Sequence, residues 1–271
     1  MDGSDNEFFT PAPKYDYTVT AQGPDCVLKM CNFAPREFDK LWDVVKNHVL
    51  SNWNVGLGKE TTNSPKDVLF MTLAAFKHYG GWDTVSGMFE MDPSPFQKMV
   101  KTFFIMLEPY MCDTFVKDEE TRWTMRELTL TRSTFKHFPC ARYATDVTFQ
   151  HSERPIGNFN EAKTFYSGKH HLYGHKVEVS VLPKNLGGEA DLNDEGPAQD
   201  RFKNDWAILV DKRYQGLQRG FRTIPPKKKA RGAPPISADE NRENDRISHD
   251  WVIVENFFGR PKSLWGVCSH K

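Results

Sequence analysis

The hydrophobic spacing changes period partway along the chain, and that change restricts the architectures open to it. Before Phe138-Pro139 the apolar residues recur at helical intervals. Phe38, Trp42, Val45 and Val49 stand at i, i+4, i+7 and i+11, which is one face of a helix. After Phe138 the period falls to 2. Tyr143 to Phe149 reads as a strand, and so does Leu172 to Leu182, where Val177, Val179 and Val181 face one way and Lys176, Glu178 and Ser180 the other. Trp206-Ala207-Ile208-Leu209-Val210 is apolar throughout, as in a strand covered on both faces, and it ends on Asp211. Ile247, Trp251, Val254 and Phe258 then return to helical spacing.

The helical part carries its own punctuation. Ser64-Pro65-Lys66-Asp67 reads as an N-cap, a proline at the first helical position and an acid in the first turn. Leu69, Leu73 and Phe76 form a stripe that ends at Gly80-Gly81, and Trp82, Val85 and Phe89 mark a short second helix. A third helix is read as capped by Ser94 and opened by Pro95, with Phe96, Val100, Phe103 and Leu107 inward. Short helix, tight turn, longer helix is the outline of a helix-turn-helix. Gln97, Lys98 and Lys101 fall on its outer face, where they would meet phosphates or base edges; a solvated face of an ordinary bundle is the plainer alternative. Residues 111–135 read as a charged and aromatic connector.

Three acids stand at positions where a carboxylate is costly unless it has a partner or a cation. Asp211 follows five apolar residues, at the tip of a buried strand. Asp146 interrupts a half-buried strand, and Glu255 sits at the edge of the Ile247–Phe258 stripe rather than on its wet side. Converging, they would hold Mg²⁺ or Mn²⁺ through hard oxygen donors, and two such cations about 4 Å apart would activate water against a phosphodiester. Taken singly, each has a structural alternative: a turn-capping Asp, a salt-bridged Asp, and a helical Glu paired with a cation such as Arg260.

Several motifs in order make a resemblance specific. Thr145-Asp146-Val147-Thr148-Phe149-Gln150, Arg154-Pro155, Gly157-Asn158-Phe159 and Ser167 to Val179 resemble the catalytic core of Harbinger-type transposases, within the DDE superfamily of endonucleases. Asp211 to Leu217 is similar to that family's second signature. Pro225 to Lys229, Arg246-Ile247-Ser248 and Val252 to Arg260 are similar to its third. The likeness spans roughly residues 60–268, and the helix-turn-helix lies where the family keeps one. It implies a ribonuclease-H-like fold, α/β in its sheet and α+β overall: a mixed sheet with flanking helices, preceded by a helical region. It also implies divalent-metal phosphodiester hydrolysis with Asp146, Asp211 and Glu255 as catalytic and metal-ligand residues, DNA as substrate, and a Myb-like DNA-binding protein as partner.

The chain departs from the family pattern at three places. Only 23 residues, mostly Gly, Asp, Glu and Asn, lie between Leu182 and Trp206. A short helix over 197–204 would serve as the crossover, but little chain is left for the family's third strand, whose loss is one expected outcome. The family's further acid has no clear counterpart; Asp191 and Asp194 are the only stand-ins. Arg213 replaces a family glycine, which strains the backbone if that position needs positive φ and adds a phosphate contact if it abuts DNA. Pro261 replaces a leucine and is expected to kink or end its helix near Arg260.

Composition bounds the remainder. The 271 residues carry no net charge, yet from Arg201 onward Lys and Arg outnumber Asp and Glu by 15 to 8, and Glu189 to Asp200 holds five acids and no base. The basic excess includes Lys212 and Lys227-Lys228-Lys229, which with Lys98 and Lys101 are the candidate DNA contacts; the lysine run also reads as a nuclear localisation signal or a solvated loop. His170, His171 and His175 suggest a ligand cluster, but strand alternation would leave only the last two on one face. Five scattered cysteines without a C-x-x-C pair argue for reduced thiols, and no secretory leader or membrane span is expected. The expected layout is a disordered tail over 1–25, a helical region over 35–110 and an endonuclease domain over 140–268. The expected protein is a nuclear (and cytoplasmic) metal-dependent DNA endonuclease; the competing expectation is a relic that keeps the fold as a DNA- or protein-binding module.

Overall fold

The computed structural model describes residues 12–55, 61–117, 121–157, 159–183, 196–202, 205–214, 216–229, 232 and 234–269. The chain divides into two compact units. One comprises Met1–Asp118 with Lys262–Ser269, and the other Glu119–Pro261 with the last two residues.

The first unit is helical: α1 (Pro13–Tyr17), α2 (Pro24–Cys31), α3 (Pro35–Asn52), α4 (Pro65–Lys77), α5 (Trp82–Gly87) and α6 (Pro93–Cys112). Its core follows the sequence stripes, since Phe38, Val45 and Val49 of α3 and Phe96, Val100, Phe103 and Leu107 of α6 are all buried. Ser64 caps α4 by accepting from the Asp67 amide at 3.1 Å. The start of α6 differs from expectation: Asp92 holds the cap position and Pro93 opens the helix, two residues ahead of Ser94-Pro95.

The disordered tail expected over 1–25 is corrected from Ala12 onward. Pro13 and Pro24 each open a helix, a π-helical turn (Thr18–Gln22) joins them, and Gly23 turns the chain at φ 89°. Tyr15 stacks on Phe38 at 4.5 Å, and its backbone N–H donates to Asp67 Oδ1 at 2.8 Å. Helices of five and eight residues span too few turns for a readable period, so tertiary packing decides them. Residues 262–269 also join this unit. Asn32 donates to the Leu264 carbonyl, and Gly266 lies so close to Lys77 O that a Cβ there would sit 2.5 Å from it.

The second unit is built on a five-stranded mixed sheet. Its strands are β1 (Ala141–His151), β2 (Tyr166–Ser167), β3 (Leu172–Val181), β4 (Ala207–Val210) and β5 (Thr223–Ile224), in the order β2-β3-β1-β4-β5. β1 runs antiparallel to β3 and parallel to β4, and β5 is parallel to β4. Helices α7 (Met125–Leu130), α8 (Phe159–Thr164) and α9 (Ala238–Leu264) complete it. This is a mixed α/β architecture consistent with a ribonuclease-H-like fold. The connector read over 111–135 thus contains α7, which buries Met125 and Leu128.

The sheet core joins Ala144, Leu209 and Ile224 to Ile247 and Val254 of α9, with Trp251 and Phe258 packed beside them. Among the described residues no strand follows β3 before β4; the outer edge of β3 is taken by the two-residue β2 from earlier in the chain. The described part of the crossover is a run of turns that contacts the buried Arg222. Arg222 donates to Pro197 O at 2.9 Å and to Asp205 O at 2.8 Å. Gly196 is needed beside it: a Cβ there would lie 2.1 Å from Cys140 Sγ. The helix α9 does not end at Arg260 but continues through Pro261 to Leu264. A proline within the last turn removes one intrahelical bond near an end where carbonyls already lack partners, so its cost is limited there.

Candidate functional site

The pairing of β1 with β4 brings two of the three acids together. Thr145 is in register with Val210, so Asp146 follows directly within β1 and Asp211 directly after the end of β4. Ala144 and Leu209 lie in the core beneath α9, and side-chain alternation returns Asp146 and Asp211 to that same face. Asp146 is half-buried. Asp211 accepts from its neighbour's amide, Lys212 N, at 2.7 Å.

The guanidinium of Arg213 lies 3.5 Å from Asp211 Oδ2. Of the two expectations for Arg213, backbone strain is excluded: the positive φ of this turn falls on Gly216, at 99°. The pair itself is weak, because the Arg213 side chain is 66% exposed and exposed ion pairs contribute about 0–1 kcal/mol.

Glu255 stands differently from expectation. It is exposed, a third of a turn round α9 from the buried Val254. The anchor of this helix stretch is Trp251, whose Nε1 donates to Thr145 O at 3.3 Å, next to Asp146. Glu255 is four residues further on, on the Trp251 side of the helix.

Two groups near the acids escaped the sequence reading. The Tyr214 hydroxyl is buried and has no partner of good hydrogen-bond geometry among the described residues. Its pKa is pushed well above the ordinary value of 10.0, first by burial and then by the carboxylates of Glu178, Asp146 and Asp211. Among the carboxylates Glu178 acts most strongly, through its charge, although its approach falls short of good hydrogen-bond geometry. Glu178 is next along β3 to Val179, the cross-strand partner of Asp146. Three carboxylates therefore act on one orphaned hydroxyl. Such a concentration of like charge and hard oxygen favours a divalent cation such as Mg²⁺ or Mn²⁺, but among the described residues no three of these acids bring donor atoms within 4.8 Å of one another, so Asp146 and Asp211 offer a pair of ligands rather than a closed triad. No sequence period could reveal this, because Tyr214 lies in the turn after β4 and Glu178 on the face read as solvated.

Directly after Asp211, Lys212 lines a cleft of about 590 Å³ together with Arg201, Lys227 and Lys228, the rings of Phe202 and Phe221, and one carboxylate, Glu243. Asn244 of α9 clasps the Lys227 backbone from both sides, accepting from its N–H at 2.7 Å and donating to its carbonyl at 3.1 Å. Three of the lysines predicted to contact DNA thus share one cationic cleft, and Lys229 is exposed beside them. Lys98 and Lys101 belong to the helical unit. Lys98 is exposed, whereas Lys101 is occupied: its Nζ donates to the Gln97 carboxamide oxygen at 2.9 Å and lies 5.8 Å from the Trp82 ring centre.

Of the histidines read as lying on a strand, His175 does, in β3 opposite Gln150, but His170 and His171 do not. Residues 168–171 form a turn, with His171 at φ 54°. His170 stacks on Phe149 at 5.0 Å, His171 meets Tyr166 Oη at 3.4 Å, and His175 packs edge-on to Phe165 at 5.2 Å. Asp191 and Asp194 lie outside the described residues.

Residues 145–271 match the model of a family described as DDE superfamily endonuclease. The match begins one residue before Asp146 and includes Asp211 and Glu255. No curated protein and no solved structure matches the chain. The sheet unit is therefore similar to a transposase-related nuclease domain, a class that acts on DNA and generally uses divalent metals. Among the described residues no helix is long and apolar enough to cross a membrane.

Proposed function

We propose that this chain is a divalent-metal-dependent DNA endonuclease of the Harbinger type. The observation that carries the reading is the register of β1 on β4, which sets Asp146 and Asp211 one residue beyond the Thr145–Val210 pair, inside the segment that matches an endonuclease family. Asp146 and Asp211 would hold Mg²⁺ or Mn²⁺, with Glu255 reaching in from α9. The cation's contribution, when bound, is to stabilise negative charge developing on the phosphodiester oxygens. Tyr214 keeps its proton at neutral pH, because burial and the surrounding carboxylates oppose its loss, and so it serves as a hydrogen-bond donor. Lys212, Lys227 and Lys228 neutralise the backbone phosphates and steer the strand toward Asp211. The helix-turn-helix around α6 would add contacts through Lys98. A Myb-like partner supplying sequence recognition, and action in the nucleus, belong to the same reading.

The test is nicking of supercoiled DNA by the full chain with Mg²⁺ or Mn²⁺. Asp146→Ala and Asp211→Ala are expected to lower the rate by at least about 10²–10³-fold, the scale of losing a principal electrostatic stabiliser. Glu255→Ala is expected to follow them. Equal activity in wild type and variants would remove these acids from the chemistry.

One observation favours a second reading, that of a non-cutting relic retained as a DNA-binding module. The Arg213 guanidinium already sits on Asp211, where a metal-binding carboxylate would be open. Arg213→Gly separates the two. A rise in nicking in that variant belongs to an enzyme restrained by Arg213; binding of DNA without nicking in either form belongs to the relic.

A further inference from the structure

Away from the acids, three donors from both ends of the sheet unit meet where α9 crosses the segment leading into β1. Donor atoms of His137, His249 and Asp250 all lie within 4.8 Å of one another. We propose that these three residues form a second metal site, suited to a divalent transition ion of the Zn²⁺ type rather than to Mg²⁺.

The geometry is partly in place already. His249 Nδ1 and Asp250 Oδ1 are 3.2 Å apart. Adjacent donors around a tetrahedral Zn²⁺, with bonds of about 2.0–2.2 Å, stand about 3.3–3.6 Å apart. The pair therefore already has the spacing of one edge of a coordination polyhedron. The carboxylate is oriented by its second oxygen: Asp250 Oδ2 accepts from His137 N at 2.7 Å and from Phe138 N at 3.1 Å. Hydrogen bonds that fix a ligating carboxylate from behind are what metal sites use to hold a ligand in place. The same bond ties the His137 backbone to the site, so only its ring must close in.

Both rings have room to do so. They meet edge to face at 4.9 Å, His137 is half-buried, and the His249 side chain is 59% exposed. Asp250, by contrast, is 1% exposed, and a charge that deeply placed gains most from a cation. Two imidazole nitrogens and one carboxylate oxygen suit Zn²⁺, Co²⁺ or Ni²⁺ over Mg²⁺, and three protein donors leave a position open. The site would clamp α9 to the entry of β1.

The experiment titrates the full, tag-free chain with Zn²⁺ by calorimetry and with Co²⁺ by visible absorption, in excess Mg²⁺ to fill all-oxygen sites. One saturable equivalent is expected, with an upward shift in the melting temperature of the sheet unit. His137→Ala and His249→Ala should each weaken binding at least tenfold, roughly the loss that follows even when only an outer-shell partner of a metal ligand is removed. Circular dichroism would check that both variants remain folded. Asp146→Ala and Asp211→Ala should bind as wild type does, which separates this site from the proposed nuclease centre. The proposal is overturned if the wild type takes up no Zn²⁺, if the histidine variants bind equally well, or if binding disappears with Asp146 instead.

Discussion

Among the described residues the helical unit buries twenty apolar residues in one cluster, against ten in the sheet unit. In the first, rings fill the centre: Tyr15, Phe38 and Phe70 meet pairwise at 4.5, 5.5 and 5.8 Å. In the second, charged groups do part of the joining. Arg222 holds the crossover by two backbone carbonyls, and Asp250 holds the entry to β1 by two backbone amides. A unit joined by apolar burial is sensitive to lost volume and nearly indifferent to ions. A unit joined through buried charge has less apolar reserve, but it carries the electrostatic positions at which cations and phosphates act.

The largest effect that would sharpen this contrast is a cavity in the helical core. Phe70→Ala should cost about 3–5 kcal/mol, seen as a lower melting temperature of the helical unit. Nicking measured below that transition should be unchanged; its loss would mean that the two units are not separable in function.

The complementary change is on the sheet unit's surface. Lys227→Ala combined with Lys228→Ala should lower the slope of log affinity for DNA against log salt by about two, with little change in melting temperature. An unaltered slope would remove the cleft from the DNA path.

The smallest effect concerns the helical unit's own buried acid. Burial raises the Asp67 carboxyl above its ordinary 3.8, while amide donors, Tyr15 N foremost, offset this in part. A carboxyl raised on folding contributes stability that is fully present below the unfolded pKa and is lost as pH rises through the folded one. Wild type should therefore lose stability relative to Asp67→Asn as pH rises from about 3 to about 7. Parallel profiles for the two proteins would show that the site is not desolvated.

What the sequence revealed follows from the same contrast. The Phe96–Leu107 stripe was readable because a long helix repeats its burial over several turns, and every one of its four residues is buried. Asp146 and Asp211 stood out in the sequence because one interrupts a half-buried strand and the other ends an apolar run. The helices between Pro13 and Cys31 were not, being too short to show a period, although Pro13 and Pro24 marked their starts. Tyr214 and Glu178 come together only through the sheet, and His137 lies more than a hundred residues from Asp250. Asp250 did leave a trace: an acid between Ile247 and Val254, on the buried side of an otherwise apolar helix stripe, is costly unless something is held there.

The return of residues 262–269 to the helical unit makes the sheet unit an insert in the order of synthesis. A ribosome delivers the first 118 residues long before the segment whose Gly266 fits against Lys77 and Tyr79. Until that segment emerges, the helical unit must wait with this niche open. Emergence of residues 262–269 is then what lets the earliest part of the chain close, so deleting that segment should injure the near end.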